Sequence, residues 1–126
     1  MTKTSGLILF AHGARDPRWA LPFEAVAERV RATNPGAVVR LAFLEFMAPD
    51  IASAAAELAA AGCQTVSVVP LFLGAGGHIR KDLPVLMDTL RERHAGVRFT
   101  LHPVVGETAV VIEAMAAAAV DALTAR

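Results

Sequence analysis

Two short stretches set histidine beside glycine and basic residues just past an apolar run. In Phe10–Pro17, FAHGARDP, the run GLILF ends at His12. In Gly74–Pro84, GAGGHIRKDLP, the run TVSVVPLF gives way to glycines and then His78. A third stretch, FLEF, holds Glu45 among apolar neighbours, where a carboxylate is rarely buried unless it is paired. Imidazole suits Co²⁺, Ni²⁺, Fe²⁺ and Zn²⁺. His12, His78 and Glu45 together would make a three-ligand set with open positions, which suits chemistry or handover better than a structural staple. The chain has no HExxH run and no cysteine cluster, so the common zinc-hydrolase and zinc-finger patterns are excluded.

Arg15, Arg18, Arg80 and Lys81 flank the two histidines. Arg15 and Arg80 are the candidates for holding a ligand, because a guanidinium meets carboxylate or phosphate in two places at once. Gly76 and Gly77 would let a bulky planar or anionic ligand approach the backbone. Asp82 reads as a residue that caps or orients the loop. His94 and His102 read as an ordinary helix end and strand exit, outside the site.

The elements that must position these residues alternate strongly. GLILFAH, AVVRLAFLE, QTVSVVPLF and VRFTLHPVVG read as four strands. The fourth is more polar and belongs nearer an edge. Pro17–Thr33, PDIASAAAELAAAG from Pro49, Gly77–Gly96 and Glu107–Leu123 read as helices. Gly62 stands where a left-handed cap is easiest, and Pro84 is expected in the first turns of its helix. Four strand–helix pairs predict parallel strands joined by right-handed crossovers: a three-layer αβα domain, flavodoxin-like, over residues 1–126. Ligands of such sheets bind beyond the carboxyl ends of the strands, where strand order reverses. His12, Glu45 and the Gly74–His78 loop all emerge on that rim.

Composition narrows the function classes. Of 126 residues, 55% are apolar and 19% charged, so a folded core is expected and disorder is not. Twelve basic residues balance twelve acidic ones, which gives no polyanion-binding surface; no nucleic-acid or membrane partner is expected. The single cysteine, Cys63, fits a reducing compartment. No secretory signal or bilayer-length apolar run is present, so a cytoplasmic location is expected.

LILFAHGARDP, AFLEFMAPDI and VVPLFLGAGGHIRKDLP, in that order, resemble the small single-domain class II tetrapyrrole chelatases, of the sirohydrochlorin cobaltochelatase type. The similarity runs from about Gly6 to Gly106. Ala14 stands where many relatives carry serine, which leaves His12 and Arg15 intact. The resemblance implies that His12, Glu45 and His78 bind the incoming divalent metal, cobalt above nickel or iron. It also implies that one histidine takes pyrrole protons, that no organic cofactor is needed, and that the chain works as a homodimer.

The residues agree in chemical terms: metal insertion needs an open site, ligands that let go and a base. Sirohydrochlorin's eight carboxylates would also give arginines at the mouth a use. A flat macrocycle needs two walls, whereas one small domain offers a single rim. The closing helix, VVIEAMAAAAVDAL, is alanine-rich and nearly uncharged, and is a candidate part of a C₂ contact. Three rivals remain open at this level. One is a metal carrier without chelatase activity. Another is a phosphotransfer enzyme with His12 as nucleophile and Arg15 as clamp. The third is a structural flavodoxin-like module.

Overall fold

A computed structural model describes residues 4–124 of the chain. Four strands, β1 (Thr4–Ala11), β2 (Ala37–Phe43), β3 (Cys63–Pro70) and β4 (Arg98–Leu101), form one sheet in the order β2-β1-β3-β4. All three pairings are parallel, with Phe10 opposite Ala42 on one side and Pro70 on the other. The helices are α1 (Leu21–Thr33), α2 (Ile51–Ala60), α3 (Gly77–Arg93) and α4 (Ala109–Thr124), with 3₁₀ turns at Pro17–Ala20 and Val105–Glu107.

Alternation along the strands divides the core between the two faces of the sheet. Ile8, Phe10, Val66, Val68 and Phe99 point to one side. There they meet Ile51, Ala54, Ala55 and Leu58 of α2 and Leu83, Met87 and Leu90 of α3. The spacing of those helical residues, three and four apart, is the apolar stripe an amphipathic helix buries. Leu7, Leu9 and Val39 point to the other side, against Ala27 and Val30 of α1. A right-handed crossover from β1 to β2 and another back past β1 to β3 require this split. The switch in strand order therefore falls between β1 and β3.

Local signals explain most helix ends, with some corrections. Gly62 adopts φ +89, the left-handed cap expected of it. Pro17 opens a 3₁₀ turn instead of α1 itself, with Asp16 accepting from the Arg18 backbone N–H. Pro49 stands outside α2; Asp50 is the cap and accepts from the Ser53 backbone N–H at 2.8 Å. Pro84 sits in the body of α3 and not in its first turns, so the Arg80 carbonyl loses its usual donor. β4 is the edge strand on its side, as its polarity predicted.

The expected three layers are present, with α1 on one face of the sheet and α2 and α3 on the other; α4 alone stands apart from them. It begins at Ala109 and not Glu107, and it buries none of its residues. Val110, Ile112, Met115, Val120 and Leu123 are all exposed, Leu123 at 84%. The alternation rule predicted a helix there but cannot say what it packs on.

Candidate functional site

The site begins where β1 and β2 end. His12 follows Ala11, and Glu45 lies two residues past Phe43. Their side chains meet, His12 Nδ1 to Glu45 Oε1 at 3.4 Å, both partly open to solvent. Gly13 makes this approach possible. A Cβ at that position would lie 1.6 Å from the Glu45 carbonyl oxygen, so only glycine lets the two loops close on each other. Beside it, Phe46 takes φ 66, a left-handed conformation that a bulky residue adopts only when its surroundings require it. That turn presents the Phe46 ring to Arg15, whose guanidinium carbon stands 5.3 Å from the ring centroid.

Two contacts hold the imidazole and a third holds its backbone. Phe72, just past the end of β3, lies against the imidazole with ring centroids 4.3 Å apart. The Trp19 indole N–H donates to the His12 carbonyl at 2.6 Å, which ties the 3₁₀ turn to the strand end. Glu45 occupies the Nδ1 side, so Nε2 is the nitrogen left for a ligand or a proton. A cavity of about 490 Å³ opens beside His12, lined by Trp19, Phe23, Leu71, Phe72, Leu73 and Gly74. It sits between the ends of β1 and β3, at the switch in strand order where such sheets bind ligands. Its walls are almost wholly apolar, which suits a flat aromatic molecule brought up to one ligating histidine.

The second lip of the rim is different in kind. His78 is exposed in the first turn of α3, behind Gly76 as cap. Cβ atoms at Gly74, Gly76 or Gly77 would meet nothing within 4 Å, so the protein itself does not require glycine at these positions. Among the described residues no three His, Cys, Asp or Glu side chains gather as a metal set. His12 and Glu45 are brought together; His78 does not join them.

The predicted basic residues also part company. Arg15 makes no ion pair among the described residues. Arg80 donates to the Ala75 carbonyl at 3.0 Å and to Glu107 Oε2 at 2.8 Å, so its guanidinium already holds a carboxylate. Arg18 is bound to Asp16 at 2.7 Å, and that pair, with the Arg18 backbone N–H, lowers the Asp16 pKa. Asp82 lies exposed on α3, His94 caps its end, and His102 lines a separate hollow beside β4.

Trp19, Phe23, Phe72, Leu73 and Gly13 escaped sequence reasoning, although they wall and shape the site. A signal existed for two of them. Trp19 is the chain's one tryptophan and falls six residues past Gly13, and Gly13 directly follows a ligand-grade histidine.

Together, fold and site define an open parallel-sheet α/β protein with an imidazole–carboxylate pair at its switch point. Comparisons with known proteins agree with this class. The CbiX family model matches residues 6–122. The chain is 31% identical over 97 residues to the sirohydrochlorin cobaltochelatase of Methanosarcina acetivorans, covering 77% of this chain and 74% of that one. It is 32% identical over 88 residues to that of Methanocaldococcus jannaschii, covering 70% and 62%. It thus spans about two thirds of the length of these curated relatives. A CbiX protein assigned to cobalamin (vitamin B12) biosynthesis in Marinobacter aquaeolei superposes with a TM-score of 0.83 at 32% identity, over 95% of this chain and 98% of that one. SirB from Bacillus subtilis, solved with Fe³⁺, superposes with a TM-score of 0.75 at 26% identity, over 90% of this chain but 44% of SirB. The chain belongs to the CbiX family.

Proposed function

We propose that this chain inserts a divalent metal, cobalt by preference, into sirohydrochlorin. The observation that carries the reading is the His12–Glu45 pair opening onto an apolar, aromatic-walled cavity at the sheet's switch point. The names of the relatives supply the substrate; the geometry supplies the reason this chain can use it. A macrocycle lying against Trp19, Leu71 and Leu73 brings its central nitrogens toward His12. The metal is a substrate here. His12 and Glu45 receive it, and His78 completes the set when the unhindered Gly74–Gly77 loop brings it across. As the dication passes from His12 and Glu45 to the four macrocycle nitrogens, its bonds to the protein and two pyrrole N–H bonds break, and the two protons leave. His12 Nε2 is placed to take one of them.

Arg15 offers its guanidinium to a substrate carboxylate, and Arg80 exchanges Glu107 for one. The working unit is a C₂ homodimer whose two rims enclose the macrocycle, and the reaction is cytoplasmic. Among the described residues no helix is long and apolar enough to cross a membrane.

The test is an absorbance assay of sirohydrochlorin with Co²⁺, Ni²⁺ and Fe²⁺ in turn. Acceleration above the uncatalysed rate, largest with Co²⁺, is the expected result. Tight metal binding without acceleration would identify a carrier and sink the reading.

A further inference from the structure

Phe46 is held where neither burial nor backbone preference would put it. Its ring is 65% exposed and belongs to none of the core clusters. Its φ of 66 is unfavourable for any residue with a Cβ. The Met47 N–H donates to the Glu45 carbonyl at 2.8 Å, so Phe46 is the apex of a γ-turn in its rare, positive-φ form. The turn is fixed from both sides. The Leu44 N–H donates to the Ala11 carbonyl at 2.8 Å and the Phe43 N–H to the Pro49 carbonyl at 2.9 Å. Met47 packs on the cluster of Ala11, Ala20 and Phe43. Such a conformation persists only where the surroundings over-determine it. Glycine or asparagine would fill this apex more easily, so the turn itself gains nothing from phenylalanine. The use of the ring lies outside the turn.

That ring faces Arg15, whose guanidinium carbon is 5.3 Å from its centroid. Two other arginines near the histidines show how this contact differs. Arg18 donates to both oxygens of the Asp16 carboxylate, and Arg80 donates to the Ala75 carbonyl and to Glu107. Each is held by the same N–H groups that would bind a ligand. An aromatic ring instead holds a guanidinium by its flat face and leaves the in-plane N–H donors free. Arg15 makes no ion pair among the described residues, so it is fixed yet uncommitted.

We infer that Phe46 is a positioning residue for the substrate: it holds the Arg15 guanidinium with its donors open to a carboxylate of the tetrapyrrole. This rests on the function proposed above and adds the residue that sets where the edge of the macrocycle is gripped. Three contacts join the two loops: His12 on Glu45, Gly13 on the Glu45 carbonyl, and Arg15 on Phe46. The metal pair and the carboxylate clamp are therefore placed by the same two loops, so a macrocycle gripped by Arg15 is fixed relative to His12. Holding a long side chain beforehand also lowers the entropy lost when it binds. Phe46 does not line the cavity beside His12, so its effect on the substrate runs through Arg15.

Titration of metal-free sirohydrochlorin into the full chain, followed by absorbance, tests this, with Co²⁺ binding and insertion kinetics beside it. Phe46→Leu keeps the bulk of the side chain and removes the aromatic face. It should weaken tetrapyrrole binding about two- to five-fold, the range of an exposed cation–π contact, with the loss in KM and not in kcat. Phe46→Tyr should restore binding. In an Arg15→Ala background, Phe46→Leu should add nothing. A like loss in that background would place the ring on the substrate itself and overturn the inference. So would a loss of Co²⁺ affinity in Phe46→Leu, or normal tetrapyrrole binding by Phe46→Leu when Arg15→Ala binds weakly. Normal binding by Arg15→Ala would overturn the carboxylate role of Arg15 and this inference together. Failure of the parent chain to bind sirohydrochlorin would overturn the proposed function as well.

Discussion

The two lips of the rim are built on opposite principles. The lip after β1 and β2 is packed to contact. Gly13 rests on the Glu45 carbonyl, Trp19 is tied to His12, and Phe72 lies against the imidazole. The lip after β3 carries three glycines at which a Cβ would meet nothing. Rigid placement suits the role proposed for His12 and Glu45 as metal ligands, since small displacements of ligating or proton-accepting groups are costly in rate. Freedom suits the part that must admit a bulky planar substrate and let the product leave. The Arg80–Glu107 pair fastens the open lip at its far end, just before α4 begins.

The sharpest way to break this comparison is to add one methyl group to each lip. Gly13→Ala forces the Glu45 backbone aside, so thermal or urea unfolding should show a loss of roughly 2–4 kcal/mol, with the His12–Glu45 contact gone and insertion abolished. Gly76→Ala, made in open space, should change stability by less than about 1 kcal/mol and slow insertion only by stiffening the loop. Equal losses at the two positions would remove the distinction.

The next effect is chemical. His12→Ala and His78→Ala should each cut the insertion rate by roughly 100-fold or more while circular dichroism and unfolding stay near normal, because neither side chain belongs to the core. Metal binding without substrate separates them. His12→Ala should weaken it strongly and His78→Ala less, since only His12 already faces Glu45. A variant that unfolds, or that keeps its rate, would contradict the role given to that residue.

A smaller effect concerns the arginines. Arg15→Ala should raise KM for the tetrapyrrole several-fold and leave metal affinity nearly unchanged, as loss of a carboxylate contact would. Glu107→Gln should lower KM instead, because it weakens the internal competitor for Arg80. A rise in KM with Glu107→Gln would mean that Arg80 serves mainly to brace the loop.

The smallest is a matter of pH. The Ser53 backbone N–H, followed by its side chain, holds the Asp50 carboxyl below its ordinary value. A lowered folded-state pKa contributes stability above the ordinary carboxylate range and loses it as pH falls through the lowered value. Asp50→Asn, which keeps a capping oxygen, should therefore flatten the acid side of the stability curve slightly and change little at neutral pH.

Much of this was written locally. Short continuous apolar runs, helical spacing, proline and glycine boundaries and an alanine-rich close pointed to four strands, four helices and their order along the chain. An alternating βα order then implied parallel pairing and one rim for His12, Glu45 and His78. What those patterns cannot express is contact between surfaces far apart in sequence. A stretch shows which of its faces is apolar, but not which other face will cover it. So the chain alone could not show that Gly13 packs against Glu45, that Phe72 backs the histidine, or that Arg80 is already held by Glu107. Nor could it show that His78 stays out of the His12–Glu45 pair, because the reach of a loop depends on what packs beneath it. The closing helix makes the same point most plainly. Its alanines and spacing determined that it would be a helix with an apolar face. Only the tertiary structure decided that this face finds nothing to bury against among the described residues, since that depends on how the other elements pack and not on any residue in the helix.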